Sequence, residues 1–410
     1  MNTLPLLKRH FSIFAALILF AVTFLVYRFS GEASATPDDY FVPLADAFLH
    51  ARISIVNPSP LLDELVRGRH DALYVIYPPM PAIVLLPQVA IWGLKANQTL
   101  ASVFWGSMNT VLVFLLMRRL TDSRSLQVWM AVLFGFGTIH WYLASTGPAW
   151  YFAHVISFLF LTLAIYAALT KQRPFLIGLL LGASYWTRIP TILSFPFFII
   201  MLAETSIQRP LASVVRRIRL LPLLELGAGV MVFISSSLFY NYLRFGTLRD
   251  MGYIIQAERE PRWYPAGLLD LSYIPEHLWT LFLKPPVFTS QPPFVMPSLL
   301  GLSIFITTPA FIYCVLAGSS RLALACWSAI VSIALGDFVH GSVGWVQFGY
   351  RFGMDFYPFL LVLTALGMRA NLGSGGEVTW KQRLLISLSV LVNLWGVLWI
   401  NKFGWVTDAP

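Results

Sequence analysis

The chain has 410 residues, of which 57% are hydrophobic, 15% aromatic and only 11% charged. Soluble domains carry about 25% charged residues, so this chain cannot cover a water-facing surface; soluble, disordered and collagen-like classes are excluded. The net charge of +9 flanks apolar runs rather than gathering in one patch, which argues against a nucleic-acid partner.

Apolar runs of roughly 20 residues match the thickness of a bilayer core. They predict an all-α polytopic transmembrane bundle of about eleven spans, a single membrane domain over 1–410. The first run, 11–29, follows Lys8, Arg9 and His10 and precedes Ala33-Ser34-Ala35, as in a cleavable signal peptide. Its length favours a retained signal anchor.

A long outer loop, 30–98, comes next, expected to contain juxtamembrane helices. It opens with Thr36-Pro37-Asp38-Asp39-Tyr40-Phe41. Thr36 suits a cap, Pro37 the first helical position, and the two acids the positive end of the helix dipole. Apolar residues at 41, 44, 45, 48 and 49 form one face, suited to the bilayer surface. Capping does not exclude catalysis, because a carboxylate fixed at a helix start is well placed as a base. Asp38 and Asp39 are therefore catalytic candidates, with Asp46 in reserve. Asp63, Glu64, Arg67, Arg69, His70 and Asp71 read as a solvated charged turn. Tyr77-Pro78-Pro79-Met80-Pro81 then forces an extended entry into 77–94, expected to lie along or dip into the outer leaflet.

Further spans are expected near 99–117, 126–144, 149–169, 174–187, 190–204 and 220–240. Arg188 sits between two short runs with no acid beside it in sequence. Arginine there costs a few kcal/mol unless it snorkels or meets an anion. A planar, permanently charged guanidinium suits a phosphate, so Arg188 is a candidate phosphate contact and snorkelling is its alternative. His140 and His154 read as packing residues. The basic cluster Arg209, Arg216, Arg217 and Arg219 reads as an anchor at anionic lipid heads.

A second long outer loop, 241–296, brings two more cations, Arg244 and Lys284. The last spans are expected near 297–317, 322–339, 355–370 and 384–402. Arg351 and Asp355 stand four residues apart before the penultimate one, so a local ion pair competes with a phosphate role for Arg351. Cys314 and Cys326 lie in apolar stretches and read as inert buried thiols. No metal-ligand pair, phosphate-cradling glycine loop or serine nucleophile motif is present. The sequence names no metal ligand and no cofactor, leaving open only a divalent cation.

Charge sets the expected sidedness. With the N-terminus inside and 77–94 not crossing, inner segments hold 15 of the 28 basic residues and four of the 19 acids. Every short inner loop is then basic, as the positive-inside rule requires. The reading is a plasma- or inner-membrane protein, N-terminus cytoplasmic, C-terminus and both long loops external.

These features in this order resemble the GT-C class of membrane glycosyltransferases, in particular the bacterial polyprenyl-phosphate-sugar-dependent group of protein mannosyltransferases and the lipid A aminoarabinose transferase. The residues carrying the likeness are Asp38-Asp39, Ala45-Asp46-Ala47-Phe48-Leu49, Tyr77-Pro78-Pro79, Arg118-Arg119-Leu120, Gly182 to Pro190, Asn241 with Arg244-Phe245-Gly246, and Tyr350-Arg351-Phe352. The resemblance implies a sugar donor on a polyprenyl phosphate, a first-loop carboxylate as base, and an acceptor that is a lipid, glycan or protein. Family members often pair Asp with Glu where this chain has two Asp, so the resemblance does not decide between Asp38 and Asp39, and Asp46 stays in reserve. Arg188, Arg351, Arg244 and Lys284 are the cations available to the donor phosphate, and membrane lipids the surrounding partners. A transporter or flippase is the alternative, weakened by the absence of a repeated half-pattern and the scarcity of intramembrane acids.

The topology is directly testable. A reporter fused after Glu377 should read cytoplasmic and one after Ala409 external; both on one side would invalidate the sidedness.

Overall fold

The computed structural model describes residues 4–31, 35–203 and 220–407. The basic cluster from Arg209 to Arg219 and the Ala33-Ser34 step lie outside the described residues. The chain is mostly helical. In order it forms α1 (Leu4–Ser30), α2 (Phe41–Leu49), α3 (Met80–Trp92), α4 (Gln98–Leu120), α5 (Arg124–Phe136), α6 (His140–Thr146), α7 (Ala149–Leu169) and α8 (Pro174–Tyr185). There follow α9 (Phe195–Leu202), α10 (Leu220–Phe245), α11 (Gly252–Arg259), α12 (Ile274–Phe282), α13 (Ile304–Thr307), α14 (Arg321–Phe338), α15 (Tyr357–Arg369) and α16 (Trp380–Leu398). Two small antiparallel ribbons pair Val66–Arg67 with Leu73–Tyr74 and Val287–Phe288 with Val295–Met296.

Among the described residues, six helical stretches are long and apolar enough to cross a membrane: Phe11–Ser30, Gln98–Leu120, Ala149–Leu169, Leu220–Phe245, Arg321–Phe338 and Ser374–Phe403. The α5–α6 pair, bent by 53°, offers a seventh path. The remaining four expected spans are short or broken. Pro190, Pro196, Pro309 and Pro358 each occupy a first-turn position. There the missing N–H starts a new helix instead of continuing the old one. The stretch 77–94 becomes the 13-residue helix α3, too short to span a core of about 30 Å at 1.5 Å per residue.

The expected surface helix α2 differs from its sequence reading. Its apolar face does not rest on lipid: Phe41, Leu44 and Ala45 are buried in a core shared with Ile76 and Leu85 of the α3 region and Phe152 and Ile156 of α7. A neighbouring apolar wall supplied by the protein replaces the bilayer. Helix α1 is likewise integrated, since the buried Tyr27 hydroxyl donates to the Gly135 carbonyl at 2.6 Å and Trp141 Nε1 donates to Ser30 at 2.8 Å.

The two long loops fold against each other. Arg259 donates to the carbonyls of Leu65 and Asp63, each at 3.0 Å. Arg244 is almost wholly buried and donates to the Val75 carbonyl at 2.7 Å and to Asn241 Oδ1 at 2.6 Å. Its guanidinium also lies over the Tyr240 and Phe245 rings, 4.2 and 4.8 Å from their centroids. First and second loops thus form one cap at one end of the bundle.

Helix α10 is otherwise peripheral and is held through α8. Their backbones approach so closely that a Cβ on Gly178 would meet the Leu226 carbonyl, and one on Gly229 the Phe175 carbonyl. Small residues serve this purpose where no hydrophobic effect drives helices together. Gly178→Val should lower stability by about 1–3 kcal/mol, visible as a reduced melting temperature in detergent. Gly227→Val, where no atom lies within 4 Å of the added carbon, should be tolerated; equal losses would refute the close-packing account.

Candidate active site

The cap and the bundle enclose a cavity of about 470 Å³. Its wall draws on both loops, the α8–α9 break, the end of α14 and the segment before α15: Glu64 and Tyr77, Gln256 to Tyr264, Arg188, Asp337 to His340, and Trp345 with Arg351. Most of the lining is apolar or aromatic, with few polar groups, as is usual for ligand sites.

Arg188 finds a carboxylate that its sequence neighbourhood lacks. Its Nε lies 3.1 Å from both oxygens of Asp355, and its Nη2 donates to Oδ2 at 2.7 Å. His154 Nδ1 donates to the same carboxylate at 3.2 Å. Asp355 is thereby fully engaged although buried, and the fork geometry recovers part of the cost of desolvating both charges. Arg188 keeps a partly exposed edge in the cavity, its guanidinium 5.2 Å from the Phe352 ring centroid.

This arrangement overturns the expected local pair of Arg351 with Asp355. Among the described residues, no carboxylate lies within ion-pair distance of Arg351. One Nη donates to the Trp345 carbonyl at 3.0 Å, and Nε has no partner among the described residues. Gly344, at φ +94°, leaves the space: a Cβ there would stand 3.0 Å from Arg351 Nε. A desolvated guanidinium without a counter-ion in a cavity wall is a ready anion site.

The acids divide sharply. Glu64, expected on a solvated turn, lines the cavity and receives the Tyr77 hydroxyl hydrogen bond. Burial, reinforced by the charges of Asp63 and Glu260, pushes its pKa up to about 8, against the opposing pull of Arg351. Asp39 accepts from the Val42 N–H at 3.0 Å, which caps the first turn of α2; burial pushes its pKa up to about 7 despite that bond. Asp38 is half-buried, and its charge is felt at both Glu64 and Tyr151, the residue over whose ring Arg351 lies. Asp46 faces away, 3.5 Å from His50 and 3.7 Å from Arg52. Asp337, which the sequence did not single out, lines the cavity from α14, and its Oδ2 has no partner among the described residues.

Two expected phosphate contacts lie elsewhere. Arg244 is spent on the loop clamp and borders only a small crevice with Tyr240 and Asp250. Lys284 follows α12 outside the cavity lining, and burial lowers its pKa. Of the four candidate cations, the fold brings Arg188 and Arg351 together. Among the described residues, no group of three or more His, Cys, Asp or Glu is placed to hold a metal ion.

No family model matches the chain, and no curated protein matches it in sequence. Its fold is nevertheless similar to that of the Archaeoglobus fulgidus oligosaccharyltransferase in the apo form, at TM-score 0.50 and 13% identity. A second structure, the oligosaccharyltransferase AglB of Archaeoglobus fulgidus in complex with an inhibitory peptide and a dolichol-phosphate, aligns at TM-score 0.40 and 14% identity. Each alignment covers 96% of this chain and 56% of the other, so the chain spans little more than half of that protein's length. At this identity the likeness is one of fold alone.

Proposed function

We propose that the protein is an inverting glycosyltransferase that moves a sugar from a polyprenyl-phosphate donor to an acceptor hydroxyl at the outer face of the membrane. The carrying observation is the juxtaposition, around one apolar-walled cavity, of Arg351, which lacks a carboxylate partner among the described residues, with the first-loop carboxyl of Glu64, at which the charge of Asp38 is felt. The resemblance of the ordered sequence features to the GT-C class and the fold likeness both support this reading.

In the proposed reaction Asp38 accepts the acceptor's hydroxyl proton. The acceptor oxygen attacks the anomeric carbon as the carbon–oxygen bond to the phosphate breaks, with its electron pair passing to the phosphate. Arg351 takes the charge that develops there, and Arg188, held by Asp355, adds its exposed edge. Preorganised cations at a developing charge are among the largest catalytic contributions. A single displacement inverts the anomeric centre, unlike the paired displacements of retaining glycosidases. Asp38 is preferred because its charge reaches Glu64 in the cavity wall, whereas Asp46 faces away beside His50 and Arg52 and Asp39 holds the first turn of α2.

Purified protein incubated with a panel of polyprenyl-phosphate sugars should release polyprenyl phosphate. Asp38→Asn should reduce turnover by about 10²-fold or more. Asp39→Asn should lose much less, because Asn also caps helices. Arg351→Gln should raise donor KM with intact membrane insertion. A silent Asp38→Asn beside a dead Asp39→Asn would transfer the role to Asp39; full activity in both would refute the mechanism.

Glu64 gives a pH signature. Its proton is retained up to about pH 8, so Arg351 keeps its full attraction for phosphate below that value. Above it, the ionised carboxylate competes, and donor KM should rise. Because the folded-state pKa lies above the ordinary value of 4.5, the folded state binds the proton more tightly than the unfolded chain. Its stability contribution is present at low pH and lost as pH climbs from 4.5 towards 8. Glu64→Gln should flatten both profiles; an unchanged rise in KM would remove Glu64 from the site.

A further inference from the structure

We infer that the loop side of the cavity is an acceptor subsite for an uncharged sugar ring, which makes the acceptor a glycan. The inference rests on the transferase reading but is carried by a separate group of residues. Helix α11 and the turn after it present Gln256, Glu260 and Trp263 to the cavity, and the segment before α15 presents Trp345. The two indole rings stand 6.4 Å apart between centroids and are tilted by 35°. A ring sandwiched between two others needs about 3.5–4.0 Å on each face, so nothing enters between them. They act instead as one continuous apolar wall, against which the C–H face of a pyranose can pack.

The polar groups beside that wall are acceptors. Gln256 is buried, its Nε2 donates to Glu260 Oε1 at 2.5 Å, and its own Oε1 has no partner among the described residues. Glu260 is anchored at the turn where its carbonyl receives the N–H groups of Trp263 and Tyr264 at 3.0 and 3.2 Å. Burial and the charge of Asp63 raise its pKa. An amide oxygen and a carboxylate side by side are completed by two hydroxyl donors on adjacent carbons. The carboxylate of Glu260 lines this side and repels an anionic acceptor. An aromatic wall beside paired oxygen acceptors therefore selects a neutral, polyhydroxylated ring, with Arg351, which donates to the Trp345 carbonyl, at the edge of that wall for the phosphate.

The test is binding without turnover. Methyl glycosides of glucose, mannose and galactose are titrated into purified full-length protein in nanodiscs, following tryptophan fluorescence and heat, with glucuronate as the charged comparator. At least one methyl glycoside should bind in the millimolar range and glucuronate about tenfold more weakly. Trp345→Ala and Gln256→Leu should each weaken glycoside binding about tenfold, while Trp345→Phe, which keeps an aromatic face, should retain most of it. Size-exclusion profiles check that the variants fold. Absence of binding by all three glycosides, equal binding of glucuronate, or unchanged affinity in folded Trp345→Ala and Gln256→Leu would overturn the subsite. Release of polyprenyl phosphate, measured on the same preparation, separates the two readings. Donor turnover without glycoside binding removes the glycan subsite and leaves the transferase; glycoside binding without turnover of any donor supports the sugar site and removes the transferase.

Discussion

Arg188 in an apolar bundle has to be paired, and the way it is paired organises the site. A guanidinium between two short apolar runs faces a desolvation cost of several kcal/mol. Asp355 meets it with three contacts between 2.7 and 3.1 Å, and His154 occupies the same carboxylate. Three distant segments, α7, the α8–α9 break and the turn before α15, are thus pinned at one point. Removing either charge would leave the other buried alone, so this cluster behaves as a fixed post.

The post has a consequence one helical turn away. With Asp355 turned to Arg188, Arg351 loses the partner that its spacing offers and turns to the cavity, where the Trp345 carbonyl holds one of its nitrogens. Glu64 stands across the cavity with a pKa near 8, so at neutral pH the wall keeps positive character where a phosphate would sit. The bundle side carries both guanidinium groups, Arg188 and Arg351, together with Asp337, and the loop side carries Glu64, Gln256 and Glu260. Such polarity within a low-dielectric cavity is worth more than the same charges in water.

The cap depends on arginines of another kind. Arg259 donates twice to main-chain carbonyls of the first loop, and Arg244 once, to Val75. They stitch the two long loops into one lid over the cavity. Below it, α8 and α10 meet at Gly178 and Gly229, and α1 is held through Tyr27 and Ser30. Packing of small residues and buried hydroxyl bonds thus does for the bundle what charge does for the site.

Composition and charge patterning determined by themselves that the chain is a helical membrane protein with two long loops between its apolar runs. Apolar run length depends on local sequence alone, so the six long helices were legible, as was the break before Pro190; the break at Pro309, inside the expected span 297–317, was not. Asp38, Arg188 and Arg351 were also legible as candidates, because an isolated charge or paired acids stand out against an apolar background. Their roles were not. Whether Asp355 serves Arg351 four residues away or Arg188 at a separation of 167 is a contest between a local pair and a buried one, settled by which guanidinium loses more solvent. Glu64 looked solvated within its charged neighbourhood; only the second loop, folding over it, removes the water and raises its pKa. Arg244 and Arg351 are alike in sequence, each followed directly by Phe-Gly. Tertiary structure alone assigns one to a clamp and the other to a cavity, because a side chain's partners come from segments the local sequence does not contain.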